Sequence, residues 1–263
     1  MAKTTNVLAV LRLFSERQHV VRPQEIASML DISAATAYRY VAELEQAGLI
    51  ESVSRGRYVL GPAIVELDRQ IRVNDPLIAA ASEVMSALSE RSGGTCILAR
   101  LHGLKVVCVA QVRGRNGPGA VSYERGRAMP LYRGATSTVI LAHLEQARLR
   151  ELAEGDQEAL ASAGLPTEVD ALIEHLRAIR TRGVAESAGA VDSDAIAWGA
   201  PIFHGRRLLG SLSVVLARSA TEKASANMTD LVRRAALRIQ GRLEAHEERS
   251  QSGSEGITPR GAL

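Results

Sequence analysis

Apolar residues in the first sixty positions recur at helical spacing in three short runs and then alternate in two shorter ones. Val7, Val10, Leu11 and Phe14 predict a helix over 6–17, and Pro23, Ile26, Ala27 and Leu30 predict a second. Pro23 suits a first helical turn because its missing donor would have been unpaired there. Asp31-Ile32 breaks the pattern, Ser33 can cap a third helix by accepting from its free amides, and Gly48 suits the position just past its end. Leu49 to Val53 and Arg57 to Leu60 then read as strands around Ser54-Arg55-Gly56. Three helices and a hairpin make a winged helix-turn-helix over 1–61.

Gly61-Pro62 punctuates the chain, and Ile64, Val65, Leu67 and Ile71 predict a linker helix over 62–75. From 76 to 248 the pattern mixes helices and strands. Helices are expected over Leu77 to Arg91, Thr136 to Leu152, Val169 to Arg182 and 221–247. Strands are expected over Thr95 to Leu101, Lys105 to Val112, Trp198 to Phe203 and Leu208 to Leu216. The stretch carrying Gly114, Gly117, Pro118, Gly119 and Gly126 reads as loop, and the polar tail at 249–263 as disordered. The fold class is α+β: an N-terminal winged helix-turn-helix joined by a linker helix to an α/β domain with a central sheet.

Composition narrows the function classes. With 263 residues, 46% of them hydrophobic, the chain can bury two modest cores. A net charge of +3 gives no global field for nucleic acid, so any DNA contact must come from local clustering. Cys96 and Cys108 have no CxxC spacing, which excludes a disulfide framework and a structural zinc site and leaves two small buried thiols. With neither a signal segment nor a window of membrane-span length, a cytoplasmic protein is expected.

The local clustering is in the third helix and the hairpin. A helix reads the major groove with side chains of its amino-terminal half while its other face packs on its own domain. Ala37, Val41 and Leu44 at i, i+4 and i+7 supply the packed face, leaving Ser33, Ala34, Thr36, Tyr38 and Arg39 toward double-stranded DNA, with Gln24 of the preceding helix beside them. Arg39 can bridge two acceptors on guanine or clamp a phosphate, and the alternative is a pair with Glu43. Arg55 and Arg57 flank Gly56 at the wing tip, where they can reach the sugar-phosphate backbone or stay solvated.

These residues, with those downstream, resemble the IclR family of bacterial transcription regulators from about Asn6 to about Glu247. Ser33-Ala34-Ala35-Thr36-Ala37-Tyr38-Arg39-Tyr40-Val41 followed by Leu44-Glu45-Gln46-Ala47-Gly48-Leu49 is similar to the family's recognition helix. Gly126 to Thr136, with Pro130-Leu131, Gly183-Val184-Ala185, Ala200-Pro201-Ile202-Phe203 and Leu212-Ser213-Val214 resemble motifs of its effector domain. The resemblance implies a GAF-like effector-binding domain, a homodimer or dimer of dimers, and a small-molecule pocket at Arg133, Ala135, Thr136 and Ser213. Two positions depart from the family's pattern: Tyr132-Arg133 follows Pro130-Leu131, and Val215 stands where a second pocket hydroxyl is common.

Arg133 at a helix start points to a carboxylate effector, from a catabolic pathway whose operon the protein controls. A structural ion pair or subunit contact is the other role open to it. Trp198, Tyr123 and Phe203 are candidates to line one side of the pocket, although a residue like Trp198 is more often plain core. The rival classes are an enzyme or a metal sensor built on the second domain, or a protein-binding module. His102, His143, His175 and His204 show no catalytic or ligand spacing, and His102 and His204 sit by glycines in expected exposed turns. Neither catalytic residues, a metal nor a cofactor is implied.

Overall fold

A computed structural model describes residues 7–118, 122–223 and 227–254, with side chains at 221–223 and 248–254 excluded. Asn6, Gly119, residues 224–226 of the expected last helix and the tail from 255 lie outside the described residues. The chain divides into two compact units, Met1–Asp75 and Pro76–Leu263.

In the first unit Val7–Leu13 forms a 3-10 helix in place of the expected α-helix, burying only Val10. Helix α1 spans Pro23–Leu30, with Pro23 in its first turn and Glu25 Oε2 accepting from the Arg22 backbone N–H. Asp31 turns the chain at φ 54°, and α2 runs Ala34–Gln46. Ser33 Oγ accepts from the Thr36 N–H at 3.1 Å, the cap expected from its residue type. Ala37, Val41 and Leu44 are buried with Val10, Val21, Ile26 and Ile50 in one core. Strand β1 (Ile50–Ser54) pairs antiparallel with β2 (Arg57–Leu60), and Gly56 supplies the positive φ of 69° that this tight turn requires. Helix α3 (Pro62–Asn74) follows.

The second unit opens with α4 (Pro76–Ser92), β3 (Thr95–His102), β4 (Lys105–Val112) and the short β5 (Ala128–Pro130). The expected helix over Thr136 to Leu152 is two: α5 (Gly134–Leu141) and α6 (Gln146–Gly155). The last turn of α5 tightens, with His143 N donating to Ile140 O and Leu144 N to Leu141 O, and Glu145 is extended. Next come α7 (Gln157–Ser162), α8 (Val169–Arg182), β6 (Ala185–Ala188), β7 (Ala195–His204) and β8 (Arg207–Ala217). After a 3-10 turn at Arg218–Lys223, α9 runs Met228–Ser254, so it starts later than expected and continues through the first residues of the expected disordered tail.

The six strands form one antiparallel sheet in the order β5-β4-β3-β8-β7-β6. Because side chains alternate across a sheet, each central strand feeds two cores. Ile97, Ala99 and Val215 face α5, α6 and α8, while Leu98, Trp198, Leu212 and Val214 face α4 and α9. Trp198 is therefore corrected: it is 7% exposed in the core under α4 and α9, on the sheet face away from α5.

Candidate DNA-reading surface and effector cavity

On α2 the buried triad leaves Ala34, Tyr38 and Arg39 exposed beside the capping pair Ser33 and Thr36, whose hydroxyls lie 2.9 Å apart. Gln24 Nε2 donates to Tyr38 Oη at 2.9 Å, so α1 and α2 present one joined polar surface. Arg39 Nε lies 3.8 Å from Glu43 Oε1 with side chains 65% and 52% exposed, and its guanidinium sits 5.6 Å from the centre of the Tyr40 ring. An exposed i,i+4 pair of this kind is worth about 0.3–0.5 kcal/mol, too little to withhold Arg39 from a stronger anion. Arg55 and Arg57 are exposed on either side of Gly56.

In the second unit α5 is buried nearly all round and fastened by hydroxyls from four directions. Thr136 Oγ1 and Ser213 Oγ lie 2.8 Å apart, Ser211 Oγ donates to Thr136 O at 2.8 Å, and Ser187 Oγ accepts from the Ala135 N–H at 2.9 Å. Tyr123 Oη bonds Ser137 Oγ and reaches Arg133 O at 3.3 Å. Burial pushes the Tyr123 phenol up to about 12, so it stays protonated and can donate. Gly199 lets the helix start touch the sheet: a Cβ there would stand 2.7 Å from Ala135 O.

Under this helix start lies a small cavity of about 20 Å³, whose lining includes Tyr123, Ala135, Thr136, Ser187, Val191 and Asp192. That volume holds about one water. Of the sequence candidates, Ala135 and Thr136 line it, and Ser213 stands behind Thr136. Arg133 is exposed, and its Nε donates to Ala190 O in the turn that lines the cavity. Phe203 stacks edge-on against His143 at 5.3 Å. Ser187, Val191 and Asp192 carried no signal in the sequence, since small residues and a turn between strands look alike in any domain. Asp192 accepts from both Ser122 N–H, at 3.1 Å, and Ser122 Oγ.

A larger groove of about 330 Å³ lies between α4 and α9, lined by Val84, Leu88, Arg91, Arg234 and Arg238 among others. It is open and on the opposite side of the sheet from α5. Histidines occupy separate elements: His102 is exposed, while His204 bonds Glu247 Oε2 at 2.8 Å in place of the exposed turn expected for it. Among the described residues no group of three or more His, Cys, Asp or Glu is placed to hold a metal.

Known proteins share this pairing of a helix-turn-helix with an α/β domain. The bacterial transcriptional regulator IclR C-terminal domain matches residues 70–241, and the IclR helix-turn-helix domain matches 4–54. The chain belongs to the IclR family. It is 26% identical over 236 residues to the HTH-type transcriptional regulator XynR of Escherichia coli, covering 88% of this chain and 93% of that one. The regulator KipR of Bacillus subtilis is 24% identical over 234 residues, again at 88% and 93% coverage. In fold, an IclR homolog from Microbacterium hydrocarbonoxydans complexed with 4-hydroxybenzoate superposes with a TM-score of 0.72 at 21% identity, covering 91% of this chain and 98% of that one. This chain is thus an IclR-type transcriptional regulator with a helix-turn-helix and a C-terminal ligand-binding domain. No helix among the described residues is long and apolar enough to cross a membrane.

Proposed function

We propose that this IclR-family protein binds operator DNA through α2 and the wing arginines, as a homodimer or dimer of dimers in the cytoplasm, and that a small carboxylic acid bound under α5 controls it. The observation that carries the effector assignment is Arg133: an exposed guanidinium at the rim of the cavity, held there through its Nε by one backbone carbonyl, Ala190 O. A carboxylate is a stronger acceptor for a guanidinium than a neutral carbonyl, so an acid at the rim displaces Ala190. The 4-hydroxybenzoate in the Microbacterium homolog fits the same chemistry.

The dimer is supported by α3, which leaves Val65, Leu67, Ile71 and Val73 exposed at 67, 55, 52 and 61% and buries none of its own residues. Apolar side chains massed on one helix call for a partner, and a second copy of α3 offers the same surface. Two recognition helices then meet two half-sites of a (pseudo)palindrome. An effector acts only through unequal affinity for two states, which α3 relays from the effector domain to the DNA-binding domain. The operon controlled is the one that consumes the acid.

The test is a gel-shift series on DNA flanking the protein's own gene, with and without a panel of carboxylic acids. Affinity should fall steeply with salt, and one acid should shift it with wild type and not with Arg133→Ala. Salt-independent binding would overturn the DNA assignment, and equal responses from wild type and Arg133→Ala would overturn the effector site.

A further inference from the structure

The turn at 189–194 lines the effector cavity and is held over it by two contacts that resemble a bound ligand. Ala190 supplies a carbonyl oxygen to Arg133 Nε, and Ser122 supplies two donors, one to each oxygen of Asp192. Both contacts join segments far apart in the chain, 57 and 70 residues. The turn is also fixed at its base, where Gly189 N donates to Ala195 O at 2.8 Å and Ala195 N to Asp192 O at 3.0 Å.

A molecule that uses Arg133 and Asp192 displaces these contacts, and it must then satisfy the groups they leave behind. Arg133 is then short of an acceptor and the half-buried Asp192 of donors, and a ligand gains by supplying both. Among the described residues the cavity lining includes Asp192 and no lysine or arginine, Arg133 lying outside it and reaching its edge through Ala190, and its remaining walls include Val191, Ala195, Ala197 and Val215. An ammonium group placed there would lose its hydration to apolar walls, whereas the donors it would replace, a hydroxyl and an amide, are neutral.

We propose that Asp192 is the specificity residue of this cavity: it accepts a hydrogen bond from a hydroxyl of the effector, which is a small hydroxy acid whose carboxylate replaces the Ala190 carbonyl on Arg133. The proposal rests on the effector reading above and adds the second recognition group. Asp192 thereby sorts acids that share a carboxylate. Ser122 competes with the ligand hydroxyl for it, which sets a threshold for opening.

Titration calorimetry on the full chain tests this with propionate, lactate, glycerate and alanine, which share a three-carbon acid, and with benzoate against 4-hydroxybenzoate. In at least one series the hydroxy acid should bind about tenfold or more tighter than its parent, the yield of one hydrogen bond to a charged group. Alanine should not gain over propionate. Asp192→Ala should erase the preference, and Asp192→Asn, which keeps an acceptor for Ser122 and so the closed turn, should reduce it. Ser122→Ala should widen the preference, an effect that a merely structural Asp192 would not produce. A parent acid that binds as tightly as its hydroxy acid, a preference that survives Asp192→Ala, or no binding by any probe overturns the proposal. If the acids bind and weaken with Arg133→Ala while the hydroxyl is ignored, only the role of Asp192 fails. If Arg133→Ala leaves all acids unaffected, the effector site itself fails.

Discussion

Replacing Arg39 with alanine separates the two roles its position allows. Among the described residues the side chain meets the exposed Glu43 at 3.8 Å and the face of the half-buried Tyr40 ring, so Arg39→Ala should change unfolding free energy by no more than about 1 kcal/mol. On DNA a guanidinium bridging a base edge is worth about 1–3 kcal/mol, a loss of roughly 5- to 150-fold in operator affinity. The two magnitudes barely overlap, so stability and affinity report different events. Fluorescence anisotropy on operator and on scrambled DNA, from about 50 to 200 mM salt, reads both. If Arg39 contacts a base, operator affinity falls while the scrambled duplex is bound as before, and Arg39→Lys does not restore it. If it clamps a phosphate, both affinities fall, the slope of log affinity against log salt drops by about 0.9, and lysine largely restores binding. Glu43→Gln should strengthen binding modestly by removing a competing carboxylate. Operator affinity within twofold of wild type, with a stability loss above about 1 kcal/mol, would show that Arg39 serves the fold.

Other measurements bear on the second domain. Gly199→Ala sets a Cβ 2.7 Å from Ala135 O and should destabilise the domain by about 1–3 kcal/mol in thermal or urea unfolding; an unchanged melt would contradict the close approach of α5 to the sheet. Burial pushes the Cys96 and Cys108 thiols up to about 12, so a thiol reagent at about pH 8 should label neither until the protein unfolds, and rapid labelling of the native protein would refute their burial. Burial holds His143 below the ordinary imidazole range, with its Nδ1 2.8 Å from Val139 O. The unfolded chain then binds the proton more readily, so the stability from neutral His143 is present above about pH 6.5 and is lost as pH falls toward the lowered folded value. Urea unfolding of His143→Gln should show a flatter pH dependence there, and identical curves would remove His143 from the account.

The first unit was legible because its signals are local. Pro23, Ser33 and Gly56 each act within a few residues of themselves, and the buried spacing of Ala37, Val41 and Leu44 lies within one helix. Apolar spacing over Val7–Leu13 does not separate an α-helix from a 3-10 helix, because seven residues hold too few turns for the two periods to diverge. In the second unit β6 reads Ala-Glu-Ser-Ala, with no alternation strong enough to mark a strand, and is a strand only because β7 pairs with it. Helices α5 and α6 merged in the sequence because their apolar residues run on across Leu144 without a Gly or Pro to mark the break.

The effector site shows where such reading ends. Strand β7 is covered on both faces, so its sequence lacks the polar alternation that would say which residues look toward α5, and a shift of one residue exchanges Trp198 for Ala197 or Gly199. Asp192 is harder still, since its meaning comes from Ser122 across 70 residues of chain, a contact that no spacing rule anticipates. The same long reach is what makes the turn suitable for a switch. A contact between distant segments can be lost while the strands beneath it stay paired, so a ligand that binds only the open turn shifts the population by its full binding free energy less that of the two contacts it displaces. Weakening the Ser122–Asp192 contact should therefore raise apparent effector affinity, and most for acids whose hydroxyl takes its place on Asp192.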